Sequence, residues 1–167
     1  MDESGYSLNY PLSKCWMKVH EQKCLPANTQ PRSGCLLAGV IDWLSAEVWC
    51  QAIDKLSSDC LISFFSWLFL EVFPDERLVL VMDNASAHHA ASMKAFLSLF
   101  EHRVIVIYLP TYSPDMNLIE RFWKHLKQRV TANRLFASVN HMMEAIQTEL
   151  IAQNRSNYEF RFSFSKN

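Results

Sequence analysis

With 167 residues, half of them apolar, the chain is large enough for one hydrophobic core and too small for several domains. The 16 basic and 17 acidic side chains leave a net charge of −1, which excludes a general attraction to nucleic acids, so any DNA contact must be local. Five cysteines without a Cys-x-x-Cys pair fit neither a disulfide framework nor a zinc ribbon, and they indicate free thiols in a reducing cytosol.

The first half of the chain predicts loops, a hairpin and a helix. Residues 1–33 are polar, contain three prolines and are typical of loops between short extended pieces. Apolar and aromatic runs over residues 34–43 and 46–53, separated by a short polar break, predict an antiparallel hairpin. Apolar residues at helical spacing predict a helix over residues 57–73.

The sequence does not predict export or insertion into a membrane. Its most apolar stretch, residues 61–73, is interrupted by two serines and a glutamate and is shorter than the roughly 20 residues that cross a bilayer. Asp2 and Glu3 stand where a signal peptide would carry basic residues. We therefore expect a cytoplasmic protein with a buried helix at this stretch.

Two continuous apolar runs in the second half predict strands. Residues 77–82 (RLVLVM) and 103–110 (RVIVIYLP) have the length and composition of strands that are buried on both faces. A predicted helix at about residues 90–100 joins them into a βαβ unit with a parallel strand pair. The order of elements predicts an α/β fold, a mixed sheet flanked by helices.

Two helices are predicted after the turn-rich segment TYSPDMN. They extend from about Asn117 to Val130 and from about Ser138 to Gln153. The tail FRFSF alternates in polarity, as expected either of a terminal strand or of a frayed end. The interpretation that we favour for four tryptophans is packing in the core; these are Trp16, Trp43, Trp49 and Trp67.

Asp83 and Glu120 each have an ordinary and a functional interpretation. Asp83 follows the apolar run 77–82, where Asp-Asn is common turn chemistry but where functional groups of open α/β sheets also collect. Glu120 fits a capping box with Asn117 and a helical pair with Lys124. It also borders the predicted buried stripe of its helix, which spans about 100° of arc and comprises Ile119, Phe122, Trp123, Leu126 and Val130.

Other polar and aromatic residues are candidates for contacts with a ligand. Lys124 and Lys127 lie near Glu120 on the helix and are suited to receiving phosphates. Tyr112 and Trp123 are able to stack on a base, although core packing is favoured for Trp123. His88 and His89 lack other Cys or His residues at zinc-ligand spacing, so surface or loop positions are favoured for both.

Three segments together resemble the signature of a known family. LVLVMDNASAHHA, followed by VIVIYLPTYSPDMNLIERFWKHLK, closely resembles DDE-type transposases of the mariner-like superfamily, especially those of the bacterial group 630 insertion sequences. MDESGYSL resembles the first acidic motif of that family, with Trp16 also at its expected place. The three motifs occur in the family's order over about residues 2–135, and the 36 residues between Asp83 and Glu120 match its short second spacing.

The resemblance implies a ribonuclease-H-like fold and a triad of metal-binding carboxylates. Carried over by motif, Asp2, Asp83 and Glu120 would bind two Mg²⁺ or Mn²⁺ ions, because two-metal phosphoryl chemistry needs several carboxylates from different elements. The implied reaction is hydrolysis of DNA at the ends of the insertion sequence, followed by strand transfer into target DNA, commonly at TA dinucleotides. The implied partners are DNA and further copies of the chain in a synaptic complex.

The sequence departs from the family at two places. Leu118 replaces the usual proline, which removes preorganisation of the first helical turn but no ligand. Met1 directly precedes the first acid, so we expect the first strand and the upstream helix-turn-helix region to be largely missing, with Asp2 on a fraying end. We therefore expect residues 1–155 to form an N-terminally truncated catalytic domain and residues 156–167 a tail.

Two alternatives to an active transposase domain remain at this stage. One is a catalytically inactive fragment that at most associates with intact transposase through its exposed edges. The other is a ribonuclease-H-like nuclease with a different substrate. The Tyr-Ser-Pro and Asn-x-x-Glu motifs argue against the second alternative, as does the lack of a distinct substrate domain.

Overall fold

A computed structural model describes residues 1–9, 16–21, 33–110 and 116–156. Five strands and four α-helices are described, with short π- and 3₁₀-helical turns at Leu68–Val72, Ser86–His89 and Lys127–Thr131. The strands are β1 (Asp2–Ser7), β2 (Gly34–Ile41), β3 (Val48–Ile53), β4 (Leu78–Met82) and β5 (Val104–Tyr108). The helices are α1 (Ser58–Trp67), α2 (Ala91–Ser98), α3 (Leu118–Leu126) and α4 (Val139–Ser156). The α/β class is confirmed, and the tail from residue 157 onward lies outside the described residues.

The strands form two sheets, one of β1, β2 and β3 in that order and one of β4 and β5. β2 and β3 are neighbours joined by a turn in which both carboxylate oxygens of Asp42 accept hydrogen bonds, at 2.9 Å each, from Leu44 N and Ser45 Oγ. This turn confirms the predicted connection of the two strands. β4 and β5 are parallel, with Leu78 opposite Val104 and Met82 opposite Tyr108, so the predicted βαβ unit is also confirmed.

The chain divides into two compact units, and the first carries most of the sheet residues. This unit consists of Met1–Ser4, Leu36–Ile41 and Trp49–Arg121. Its core packs β4, β5 and α2 against a row of fully buried side chains on α1 and the following π-helical turn, namely Leu61, Phe64, Phe65, Leu68 and Phe69. The Ser57 hydroxyl begins α1 by accepting a hydrogen bond from Cys60 N. The predicted helix over residues 57–73 is thereby confirmed.

β4 and β5 are buried on one face only, so the prediction of burial on both faces is wrong. Leu80 and Met82 are buried, whereas Val79 is 61% exposed. On β5, Val104 is buried and Ile105 is 61% exposed. Successive strand residues point to opposite faces, and only one face of this pair packs against α1 and α2. A continuous apolar run therefore did not reveal that its second face is open.

The second unit consists of Gly5–Cys35, Asp42–Val48 and Phe122–Asn167. Within it, the Asn154 side-chain amide from α4 bonds both the N–H and the carbonyl of Val48, each at 3.0 Å. Arg129 Nε and Glu149 Oε1 form an ion pair at 2.8 Å.

All members of the stripe predicted on α3 and its π-helical extension are buried, namely Ile119, Phe122, Trp123, Leu126 and Val130.

The predictions for individual tryptophans and cysteines had mixed outcomes. Trp16 is fully exposed and Trp43 is 65% exposed, so their assignment to the core is wrong; Trp43 lies in the turn after β2, outside the packed faces. Trp49 and Trp67 are half-buried against the core. Cys35, Cys50 and Cys60 carry free thiols, as predicted, and burial raises the pKa of Cys50 to about 12. Among the described residues, none of the helices is long and apolar enough to span a bilayer.

Candidate active site

The three acids singled out by sequence belong to the first compact unit, and each lies near the start of a regular element or directly after one. Asp2 is the first residue of β1, Asp83 directly follows β4, and Glu120 is the third residue of α3. Asp2 is half-buried, the Asp83 side chain is 45% exposed, and Glu120 is exposed. α3 begins at Leu118, so the helix forms without the proline that is usual there. The Glu120 N–H donates to the Asn117 carbonyl at 3.1 Å in its first turn.

Asp2 is held in place, contrary to the expectation of a fraying end. Six residues from Asp2 to Ser7 form β1, which pairs with β2. The preceding residue, Met1, is 6% exposed, and its amino group donates to the Val81 carbonyl in β4 at 2.7 Å. Met1 packs in the core, and this burial together with the hydrogen bond anchors the start of β1.

The carboxyl of Asp2 lies within the electrostatic influence of the other acids. Its pKa rises from 3.8 to about 6, chiefly because burial disfavours the charged form. The negative charges of Glu3, Glu120 and Asp83 raise this pKa further, and a backbone hydrogen bond from Glu3 lowers it in part. Asp83 and Glu120 therefore both act on the Asp2 carboxyl, so the structure brings the three predicted acids into one region although they lie far apart in sequence.

Asp83 takes part in a turn and in a contact between elements. Its Oδ1 accepts a hydrogen bond from Ala85 N at 2.9 Å, so the turn interpretation of this residue is correct. The same oxygen lies 3.0 Å from His88 Nδ1. Accepting these hydrogen bonds does not prevent Asp83 from binding a metal ion, because a carboxylate has two oxygens and several acceptor positions.

His88 is the main feature that sequence reasoning misjudged. It lies in the 3₁₀ turn, as a loop residue should, but its side chain is fully buried. Nε2 is 3.2 Å from Glu3 Oε1, and Nδ1 is 3.1 Å from the Asp83 carbonyl oxygen. Burial opposes the charged ring, but the hydrogen bonds and charges of Glu3 and Asp83 outweigh it and raise the pKa of His88 above its usual value.

A second set of contacts joins the ends of β4 and β5. The Asn84 side-chain amide donates to the Leu109 carbonyl, and Asn84 Oδ1 lies 3.0 Å from His89 Nε2. The His89 ring contacts the Tyr108 ring with centroids 4.5 Å apart. Because the two strands are parallel, their carboxyl ends lie side by side at one sheet edge. The loop that carries Asp83 is thereby connected to both strands.

The proposed DNA contacts are only partly described. Lys124 is exposed on α3. Lys127 is half-buried, and its Nζ lies 5.4 Å from the centroid of the Tyr6 ring. Tyr112 lies outside the described residues.

The donor chemistry fits a hard divalent cation, but a formed metal site is not described. Three carboxylates supply the oxygen ligands that Mg²⁺ and Mn²⁺ prefer. The pKa of Asp2 is raised chiefly by burial and further by the other acids, and a bound cation would oppose both effects by favouring the charged carboxylate. Within the described part of the chain, no three His, Cys, Asp or Glu side chains are gathered at metal-ligand spacing. The observed arrangement is an acidic region whose side chains would have to close around an ion.

The fold and the match to a known family together define the class of protein. Solved structures with this fold are ribonuclease-H-like catalytic cores of transposases and integrases. A profile described as DDE superfamily endonuclease matches residues 1–143. The chain belongs to this family, the DDE superfamily endonucleases.

One curated relative is the uncharacterized 39 kDa protein of insertion element IS630 from Shigella sonnei. It is 28% identical over 152 residues, which cover 87% of this chain and 44% of the relative. The catalytic core domain of BIV integrase is 16% identical, with a TM-score of 0.53 over 72% of this chain and 76% of that core.

Several similar structures are those of Mos1 transposase. Its paired-end complex with the left transposon end is 15% identical, with a TM-score of 0.71 over 90% of this chain and 46% of that chain. The Mos1 paired-end complex with Mn has a TM-score of 0.69 at 14% identity, over 94% of this chain and 48% of that chain. The Mos1 paired-end complex with Mg has a TM-score of 0.68 at 16% identity, over 93% of this chain and 48% of that chain. The chain thus spans about half the length of these relatives.

Proposed function

We propose that this chain is a metal-dependent catalytic domain of a bacterial transposase that cuts DNA at the ends of its insertion sequence and transfers the strands to target DNA. Residues 1–155 would form the domain and residues 156–167 its tail, with TA-containing DNA as the target. Catalysis would take place in an oligomer of the chain on DNA in the bacterial cytoplasm. The bacterial insertion-element relative supports this assignment.

The observation that carries the proposal is the shared charge environment of Asp2, Asp83 and Glu120. Burial, and to a smaller extent the neighbouring carboxylates, raise the pKa of Asp2 to about 6, and a bound cation would lower it again by favouring the charged form. We assign Asp2, Asp83 and Glu120 as ligands of two Mg²⁺ or Mn²⁺ ions. When bound, such ions activate the attacking oxygen and stabilise the leaving oxygen at a phosphodiester.

Basic side chains near the third acid would place the DNA backbone. Lys124 and Lys127 follow Glu120 on the same continuous helical segment, and lysine ammonium groups bind phosphates as point charges. Tyr112 would stack on an exposed base. Because the net charge of the chain is near neutral, these contacts alone would give a low affinity for DNA. We assign to them the positioning of the DNA backbone and not the recognition of its sequence.

Metal binding and DNA cleavage test the proposal separately. Mn²⁺ binding is measured by titration calorimetry on the wild-type chain and on the Asp2→Asn, Asp83→Asn and Glu120→Gln variants. Cleavage is measured on DNA that carries the ends of the parent element, with Asp75→Asn as control because Asp75 is an exposed acid. We expect wild type and control to bind Mn²⁺ with the same affinity and the three variants to bind it more weakly. Wild-type binding that none of the three substitutions weakens would exclude this metal site.

A second candidate function is that of an inactive fragment that associates with intact transposase. The open face of β4 and β5 favours it, because exposed apolar surface of this kind is typical of sites of protein association. This candidate predicts that the chain binds no Mn²⁺ and cuts no DNA, whereas a version extended upstream does both. It also predicts that added chain changes the activity of the intact transposase.

A further inference from the structure

His88 occupies a position that connects two of the acid-bearing elements. Its imidazole has no exposed surface and lies between Glu3 of β1 and Asp83 at the end of β4. Both ring nitrogens face oxygen acceptors, at 3.2 Å for Glu3 Oε1 and at 3.0 Å for Asp83 Oδ1. Glu3 is itself almost fully buried, with 7% of its side chain exposed. Two buried polar side chains from distant segments therefore contact each other directly.

We infer that His88 and Glu3 are positioning residues that connect the Asp2 strand to the Asp83 loop, so that both carboxylates stay in the region where they would close around a divalent cation. This inference rests on the proposed function. Ligand carboxylates are commonly oriented by outer hydrogen bonds, and loss of such bonds typically weakens metal binding about 10- to 100-fold. Neither His88 nor Glu3 is assigned as a ligand.

The location of Glu3 explains how the contact acts on Asp2. The two residues are adjacent in β1, and successive strand side chains point to opposite faces. The bond from His88 therefore fixes the strand backbone through Glu3 and does not occupy the Asp2 carboxylate. On the other side, His88 contacts both the carbonyl oxygen and Oδ1 of Asp83. One ring thus constrains the backbone of both acid-bearing segments.

Hydrogen bonds also hold the backbone of His88 in place, which limits the movement of its ring between Glu3 and Asp83. Its N–H donates to the Ala85 carbonyl at 3.0 Å, and its carbonyl accepts from the Tyr108 hydroxyl at 3.4 Å. Tyr108 is the last residue of β5. The ring is therefore positioned from β5 as well as from its own turn, which is the kind of support that keeps ligands within a tolerance of about half an ångström.

Two substitutions of His88 test its contact with Glu3 and its contact with Asp83 separately. His88→Asn places an amide near the position of Nδ1 and retains the contact with Asp83 only, whereas His88→Gln reaches toward Glu3 only. Mn²⁺ affinity is measured by titration calorimetry, and stability is measured by thermal unfolding without metal. We expect each variant to bind Mn²⁺ at least about tenfold more weakly than wild type. Glu3→Gln retains an acceptor oxygen, so we expect a smaller loss.

Val104→Ala is the control for a general loss of stability. Val104 is a buried core residue at the start of β5, at the strand end opposite Tyr108. We expect this variant to unfold more readily but to bind Mn²⁺ like wild type. If both His88 variants bind Mn²⁺ like wild type, or if Val104→Ala weakens binding as much as they do, the positioning role is wrong.

Hydrogen exchange distinguishes failure of this inference from failure of the proposed metal site. Without metal, the amides of residues 83–89 should exchange faster in both His88 variants than in Val104→Ala. If wild type binds no Mn²⁺ but this difference is present, the metal site fails and the physical connection stands without a role in metal binding. If the exchange rates are equal, the His88 connection itself is refuted.

Discussion

The Asp83 side and the Glu120 side of the acidic region are constructed differently. Asp83 lies in a loop held by side-chain hydrogen bonds to residues far away in sequence, including His88 with Glu3 and Asn84 with the Leu109 carbonyl. Glu120 is exposed at the border of the buried stripe of its helix. One acid is thus placed by specific polar contacts and the other by helix packing. We expect substitutions on the two sides to affect metal binding and stability in different proportions.

The largest effect is expected for Asp83→Asn, which should reduce Mn²⁺ affinity at least about 100-fold, since a ligand charge is removed from the tethered side. Stability should change little, because asparagine Oδ1 is still able to accept the hydrogen bond from Ala85 N. Calorimetry and thermal unfolding measure the two quantities. Asp75→Asn provides a matched change at an exposed acid, and equal Mn²⁺ binding by the two variants would contradict the prediction.

Glu120→Gln should have a smaller effect on metal affinity, about tenfold, because an exposed side chain on a helix is less preorganised than Asp83. Its effect on the free energy of unfolding should stay within about 0.5 kcal/mol, as is usual for surface substitutions. Glu144→Gln, an exposed change on α4, is the control. A larger loss of Mn²⁺ affinity in Glu120→Gln than in Asp83→Asn would reverse the order of the two sides.

Asp2 provides a pH test of the environment shared by both sides. Its pKa is about 6 when folded and 3.8 otherwise, so between about pH 4 and 6 the folded state retains a proton that the unfolded state has lost. The metal-free wild type should therefore lose stability relative to Asp2→Asn as pH rises through this range, by at most about 3 kcal/mol at 1.4 kcal/mol per pKa unit.

Thermal unfolding of both proteins at pH 4, 5, 6 and 7 measures the difference. The gap should widen up to about pH 6 and then stay constant, and added Mn²⁺ should close it above pH 6 by compensating the charge. A difference in stability between the two proteins that does not change with pH would mean that the surroundings do not disfavour the charged form of Asp2.

The Glu120 side could be predicted from the sequence better than the Asp83 side. The stripe on α3 follows from periodicity within one helix, so both the helix and the position of Glu120 at its border were predictable. The parallel β4–β5 pair followed from two strand-length runs joined by a helix. In both cases the pattern is contained within a short segment of chain.

The Asp83 side was predicted less well because its contacts are not local. Glu3 and His88 are 85 positions apart, and no spacing rule links a residue of the first strand to a turn after the fourth. The absence of zinc-ligand spacing did not indicate whether the His88 side chain was buried or exposed. Similarly, the apolar run of β4 did not reveal that only one face is covered. Assigning such side chains required the tertiary structure.

The smallest effect is expected for Lys124→Gln on the helix side. This exposed lysine is proposed to contact one phosphate, so its loss should weaken DNA binding less than about tenfold and reduce the salt dependence by about one unit of slope. Mn²⁺ affinity should be unchanged, which would separate DNA placement from metal binding on the same helix. Fluorescence anisotropy with labelled DNA at several salt concentrations measures both quantities, and Lys94→Gln, an exposed lysine on α2, is the control. An unchanged salt slope would remove Lys124 from the proposed DNA contact and leave the metal ligands unaffected.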